Sequence, residues 1–288
     1  MDATLAESAA KADDSFSPVE RIDGALDGGA LVICDHASNA FPPGFGELGL
    51  PREALERHIA YDIGAAWVAR RLAAKLRAPA VLSTFSRLLI DPNRGADDPT
   101  LVMRISDGAI VPGNARIDGA EIERRRRLYW APYRDAVEST VQAMLATGAP
   151  PAILSVQSFT PAWRGVPRPW KIGILWDCDP RLPRPLLEAL AREPDLLPGE
   201  IGDDEPYAGA LAGDTIDAIA TSRGLSNALI ELRQDLIAAR GDAEAWADRL
   251  ARLIAPLIAP PEARKPQNWG TRVVVGGLRG PQRSTAAA

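Results

Sequence analysis

The side chains best equipped for chemistry in this chain stand where apolar runs stop. The run at 30–34 (ALVIC) is followed by Asp35, His36, Ala37, Ser38 and Asn39, and the run at 87–90 (RLLI) by Asp91, Pro92, Asn93 and Arg94. The run at 152–156 (AILSV) gives way to Gln157 and Ser158, and that at 171–176 (KIGILW) to Asp177 and Asp179. A last run, 227–232 (NALIEL), carries Glu231 and leads to Arg233. Such side chains serve as proton carriers, metal ligands or anchors for a polar ligand. Each also has an ordinary structural role open to it. His36 could be a satisfied core residue, Asn93 and Arg94 could be turn chemistry after Pro92, and Glu231 could pair with Arg233. His58, inside a helical pattern, reads as structural. Together, though, they exceed what a solvated rim needs, and they describe an assembled polar site.

Strands must present these residues. The runs are continuously apolar rather than alternating, as in strands buried on both faces. A further one lies at 80–84 (AVLST). Between them fall helical patterns. Leu55, Ile59, Ile63 and Trp67, then Leu72 and Leu76, predict an amphipathic helix over 51–77 with Pro51 in its first turn. Others are expected at 118–147, 183–193, 214–223 and 242–258, the last capped by Asp242. Alternation of strand and helix implies an α/β fold of three layers, a largely parallel mixed sheet with helices on both faces. In such sheets ligands bind outside the carboxyl ends of the strands, where the residues above lie.

Composition narrows the partners. The 288 residues are 46% hydrophobic and 25% charged, with net charge -5, so no basic excess exists to neutralise a nucleic acid. The run Arg124-Arg125-Arg126-Arg127 reads as a solvated helix face. Cys34 and Cys178, the only cysteines, fit no disulfide or metal spacing and read as buried thiols. The acidic start lacks the apolar segment of a signal peptide and no stretch is long enough to span a bilayer, so a cytoplasmic location without a membrane partner is expected. Residues 1–25 are expected to form a loose arm, 26–259 a single domain, and 260–288 a Pro/Gly-rich tail with one strand candidate at 272–275 (RVVV). Oligomeric state is not encoded legibly.

Taken in order, "CDHASNAFP", "HIAYDIGAAWVARRLA", "FSRLLIDPNR", "SDGAIVPGN", "SFTPAWRGVPRPW", "GDDEPY" and "IELRQDL" resemble the N-formylglutamate amidohydrolase family, over roughly residues 28–258. Members of that family resemble zinc carboxypeptidases in fold and site layout. The resemblance implies His36 as a metal ligand and Asp91 as the carboxylate that orients it. It further implies Asn93 and Arg94 as a clamp for a substrate carboxylate, helped by Arg164 or Arg168, and Glu231 as general base. The implied reaction is hydrolysis of the formamide of N-formyl-L-glutamate, or a related acylated acidic amino acid, by zinc-activated water. It closes one route of histidine degradation.

The sequence departs from the family pattern at the metal. Gln157 stands where the resemblance expects a second zinc histidine, and an amide is a poor zinc ligand. Asn39 occupies a position where the carboxypeptidase layout has a glutamate. Histidines of the pattern are also replaced by Arg134, Lys171 and Ile219. Catalytic zinc usually keeps three protein ligands, and only His36 is firm, with Asp35, Asp177 and Asp179 as unmatched helpers. Two readings follow: an amidohydrolase with altered metal demand, or a non-catalytic paralogue that binds a small carboxylate. A structural protein with a residual pocket would bury Arg94 and Glu231 at a cost with no return.

Overall fold

The computed structural model describes residues 16–273. Seven strands form one mixed sheet: β1 (Val19–Ile22), β2 (Ala30–Cys34), β3 (Ala80–Ser83), β4 (Ala152–Phe159), β5 (Ile172–Leu175), β6 (Ile201–Asp203) and β7 (Asn227–Arg233). Their spatial order is β1-β3-β2-β4-β7-β5-β6. The central four, β3, β2, β4 and β7, run parallel. β1 runs against β3, and β5 against β7 with β6 parallel to it.

Side-chain alternation sorts the strands onto two cores. Val32, Cys34, Leu154, Val156, Ala228 and Ile230 pack with helices α1 (Ala65–Leu76), α4 (Pro183–Leu190) and α6 (Arg240–Ile258). Leu31, Ile33 and Ile153 pack instead with α3 (Ala131–Ala146), which follows α2 (Gly119–Arg125), and with α5 (Thr215–Ile219). The result is the expected α/β architecture with helices on both faces. Continued along the strands, the second face carries Asp35, Ser155, Gln157, Leu229 and Glu231. Of these, Asp35 still meets α3 through Tyr133, while Gln157, Leu229 and Glu231 line a cavity.

Several expected elements are differently built. Residues 51–77 do not form one helix: a turn at Arg52–Leu55 stops, and α1 begins only after Gly64, which has φ 81° and would press a Cβ to 2.2 Å from the Ile237 carbonyl oxygen. Pro51 stands just before that first turn. Residues 87–90 are a buried turn rather than a strand. Between α2 and α3, Arg126–Trp130 winds as a π-turn beside Pro132, which has no N–H to offer the ladder. Asp242 lies in the first turn of α6 rather than at its cap, which is Ala239. Residues 19–22 of the expected arm form β1, which joins the sheet edge, and residues 1–15 lie outside the described residues. The tail docks as far as Val273: Gln267 N–H bonds the Gly224 carbonyl, Arg264 is buried, and Arg272 pairs with Asp177 and Asp204. Arg272 and Val273 are irregular, and the rest of the strand candidate at 272–275 lies outside the described residues. Arg125 is buried rather than solvated, donating to the Leu89 carbonyl and to Asn114. Of the thiols, Cys34 is buried and Cys178 partly exposed. No described helix is long and apolar enough to cross a membrane.

Candidate active site

At the carboxyl ends of the parallel strands lies a cavity of about 450 Å³ whose lining includes His36, Asn93, Arg94, Gln157 and Glu231. Five of the sequence candidates thus share one cleft, of a size typical for small ligands. Asp91 is fully buried behind them and reaches the cleft through His36. Arg168 stands at the rim, bonded to Thr160 and to the Tyr207 hydroxyl. Arg164 is not brought in: it is exposed on a small hairpin, 5.8 Å over the Trp163 ring. Asp177 and Asp179 are excluded by direction. β5 runs antiparallel to β7, so their turn falls at the opposite end of the sheet, where Asp179 pairs with Arg181.

His36 is held from both sides. Its Nε2 lies 2.7 Å from Asp91 Oδ1 and its Nδ1 3.3 Å from Asp62 Oδ2. Arg87 joins the same cluster, donating to Asp91 Oδ2 at 2.7 Å, 3.6 Å from Asp62 Oδ1 and 3.3 Å from His36 Nδ1. Burial and the neighbouring Arg87 oppose protonation of His36, yet Asp91 and Asp62 outweigh both and push its pKa up to about 9. Burial would likewise raise Asp91, but Arg87 and His36 hold it well below the carboxylate range. The cluster is therefore two cations compensated by two carboxylates. Glu231 faces it from β7. Burial first, then Asp62, lift its pKa to about 8 against the pull of His36, Arg87 and Arg168, and its Oε2 is buried with no hydrogen-bond partner among the described residues.

The neighbouring strand positions explain Gln157. It pairs directly with Glu231 across β4 and β7, and its Nε2 donates to Asp35 Oδ2 at 3.3 Å. Asp35 also accepts from Tyr133, Ser155 and Thr215. A carboxylate that accepts four bonds fixes which end of the Gln157 amide faces it, leaving Oε1 as the free end. Asn93 accepts the Thr215 N–H through Oδ1, so its amide NH2 is the end left for a ligand. Among the described residues the Arg94 guanidinium donates to the Asn93 carbonyl and lies 4.0 Å from Asp91. The loops carrying both are tied by buried Arg134, which donates to the carbonyls of Pro92, Arg94, Gly213 and Asp214.

Sequence reasoning missed Asp62, Arg87 and His58. Asp62 and His58 were absorbed into a continuous helix, though Gly64 was the available signal for a break. Arg87 was read as the start of a strand. His58 lines the cavity, 3.5 Å from Asp107 and edge-on to Trp163. A further wall of the cavity is the 207–214 loop, with Tyr207, Ala208, Ala210, Leu211 and Asp214.

A zinc ion does not fit this arrangement. His36 Nδ1 and Asp62 give two good donors where three are needed. The Gln157 amide is weak, Asn39 is turned to the Leu55 carbonyl, and the Arg87 guanidinium stands among the donors where a cation would sit. Among the described residues no group of three or more His, Cys, Asp or Glu is arranged to hold a metal.

Fold and cleft together define an α/β protein with a buried carboxylate, a paired guanidinium and imidazole, and an open arginine in one pocket. The N-formylglutamate amidohydrolase family model matches residues 29–238, and the chain belongs to that family. Gene product Atu2144 from Agrobacterium tumefaciens is similar in structure, with 33% identity, a TM-score of 0.77, and coverage of 85% of this chain and 96% of that one. An N-formylglutamate amidohydrolase from Ralstonia eutropha JMP134 shares the fold at 19% identity and a TM-score of 0.60, over 84% of this chain and 96% of its own. No curated protein matches the chain.

Proposed function

We propose that this chain hydrolyses the amide of an N-acylated amino acid, with Glu231 as general base and Arg94 and Asn93 as the anchor for a carboxylate. The observation that carries the proposal is Glu231, a cavity-lining carboxyl that feels Asp62, His36 and Arg87 and whose Oε2 is buried with no hydrogen-bond partner among the described residues. In its ionised form Glu231 takes a proton from water as the water oxygen attacks the carbonyl carbon. The charge that develops on the carbonyl oxygen is stabilised by the positive guanidinium of Arg87, a residue of the cavity lining. Glu231 then returns the proton to the nitrogen, and the C–N bond breaks to give the free amine and a carboxylic acid, formate for a formamide. No step runs through a metal.

The test is release of formate from N-formylated amino acids, N-formyl-L-glutamate among them, by the parent and by Glu231→Gln. Loss of the base should lower kcat by about 10²–10⁴-fold. The raised pKa of Glu231 sets the pH dependence. Below about 8 it holds its proton, so kcat/KM should climb as pH rises through that value. The same raised pKa is what favours the second reading, carboxylate binding without turnover. A protein that binds N-formylated amino acids but releases no formate even above pH 8 would establish it.

A further inference from the structure

The cavity has two chemically different ends, and the sheet register shows why. One row across the strands is Gln157, Glu231 and Gly173; the row two residues deeper is Ser155, Leu229 and Leu175. At the rise of a strand the second row lies roughly 6–7 Å below the first. Leu229 and Leu175 are neighbours in register, both line the cavity, and the loop opposite closes it with Ala208, Ala210 and Leu211. The deep end therefore holds no cation to receive a negative group.

Charges elsewhere in the cavity point the same way. The charge of Arg87 is balanced by Asp91 and Asp62 and its place is beside the reacting carbonyl, which leaves Arg94 as the open guanidinium for a carboxylate. Arg168, at the rim, is engaged by Thr160 and Tyr207 and stacked near three aromatic rings. The other ionisable groups of the lining on that side, Asp214 and Glu231, are carboxyls and add no positive charge for a second carboxylate. N-formylglutamate carries two carboxylates. This pocket is equipped for one.

We infer that the preferred substrate is an N-acylated amino acid with a single carboxylate, held by Arg94 and Asn93, and an aliphatic side chain seated on Leu229, Leu175 and Leu211. The inference rests on the amidohydrolase reading and narrows it from an acidic to an aliphatic amino acid. An unpaired carboxylate forced against leucines carries a large desolvation cost, whereas each buried methylene is favourable.

The experiment compares N-formyl-L-leucine with N-formyl-L-glutamate as substrates for the parent and for Leu211→Arg, a half-buried loop position of the cavity lining. The parent should show a kcat/KM for the leucine compound about tenfold or more above the glutamate compound. Leu211→Arg should narrow or reverse that ratio. Equal or better hydrolysis of N-formyl-L-glutamate by the parent overturns the inference and leaves the amidohydrolase reading standing. If neither is hydrolysed, calorimetric binding of the same two compounds decides: tighter binding of the leucine compound upholds the pocket assignment while hydrolysis falls, and tighter binding of the glutamate compound overturns it.

Discussion

His36 and Gln157 stand in parallel settings, each backed by a buried aspartate: Asp91 behind the imidazole and Asp35 behind the amide. A carboxylate behind a histidine is the usual support of a metal-ligating imidazole. At position 157 that support is present while the imidazole is not. Gln157→His should let Asp35 accept from the new ring and turn its other nitrogen toward the cleft, beside His36 and Asp62. That makes three protein donors where the parent has two good ones, enough for zinc. The variant is expected to bind zinc at least about tenfold more tightly than the parent. Zinc titration after chelator treatment checks this, and equal affinity in both proteins would show that Arg87 continues to hold the cation position.

At the scale of elements, the 207–214 loop forms the cavity wall because the sheet beneath it offers no side chain at Gly173. A Cβ there would meet the Glu205 carbonyl oxygen at 1.9 Å, so the backbone entering the loop rests directly on β5, next to Glu231. Gly173→Ala must lift that backbone. It should cost about 1–3 kcal/mol of stability, read as a lower denaturant midpoint, and should raise KM more than it lowers kcat, because the wall moves while Glu231 stays on its strand. The interior strands were legible in the sequence because burial on both faces writes them as unbroken apolar runs, and Glu231 and Gln157 were legible with them. β1, at the edge and only partly buried, carried no such run. The direction of β5 was not legible either, since an apolar run looks the same in both directions. That is why Asp177 and Asp179 were grouped with a site they do not approach. Asp62 and Arg87 escaped for a different reason: they sit on turns, and their tie to His36 spans 26 and 51 residues, a separation that no local period records.

Across the whole molecule, the buried ionisable groups set how stability responds to pH. The pKa of His36 is pushed up to about 9 from the ordinary 6.5, so the stability it contributes is complete below 6.5 and is lost as pH rises through 9. Glu231 and Asp214 are raised as well, to about 8 and about 7. For these carboxyls the unfolded chain loses its proton near the ordinary value while the folded protein keeps it, so stability again falls with rising pH until the folded value is passed. Asp91 acts in the opposite sense: held well below 3.8, it contributes stability above that value and gives it up in acid. Three groups thus pull the optimum toward the acid side, and one guards its lower edge. Denaturant unfolding should show the highest stability near the ordinary carboxyl range, with a decline that begins above about pH 4.5 through Glu231 and Asp214 and continues to about pH 9 through His36. Glu231→Gln removes one of the three groups without removing side-chain volume, so the decline should become shallower in that variant. An identical slope in both proteins would mean that Glu231 is ionised in the folded state, and the proton inventory of the cleft would have to be redrawn around His36 and Asp214.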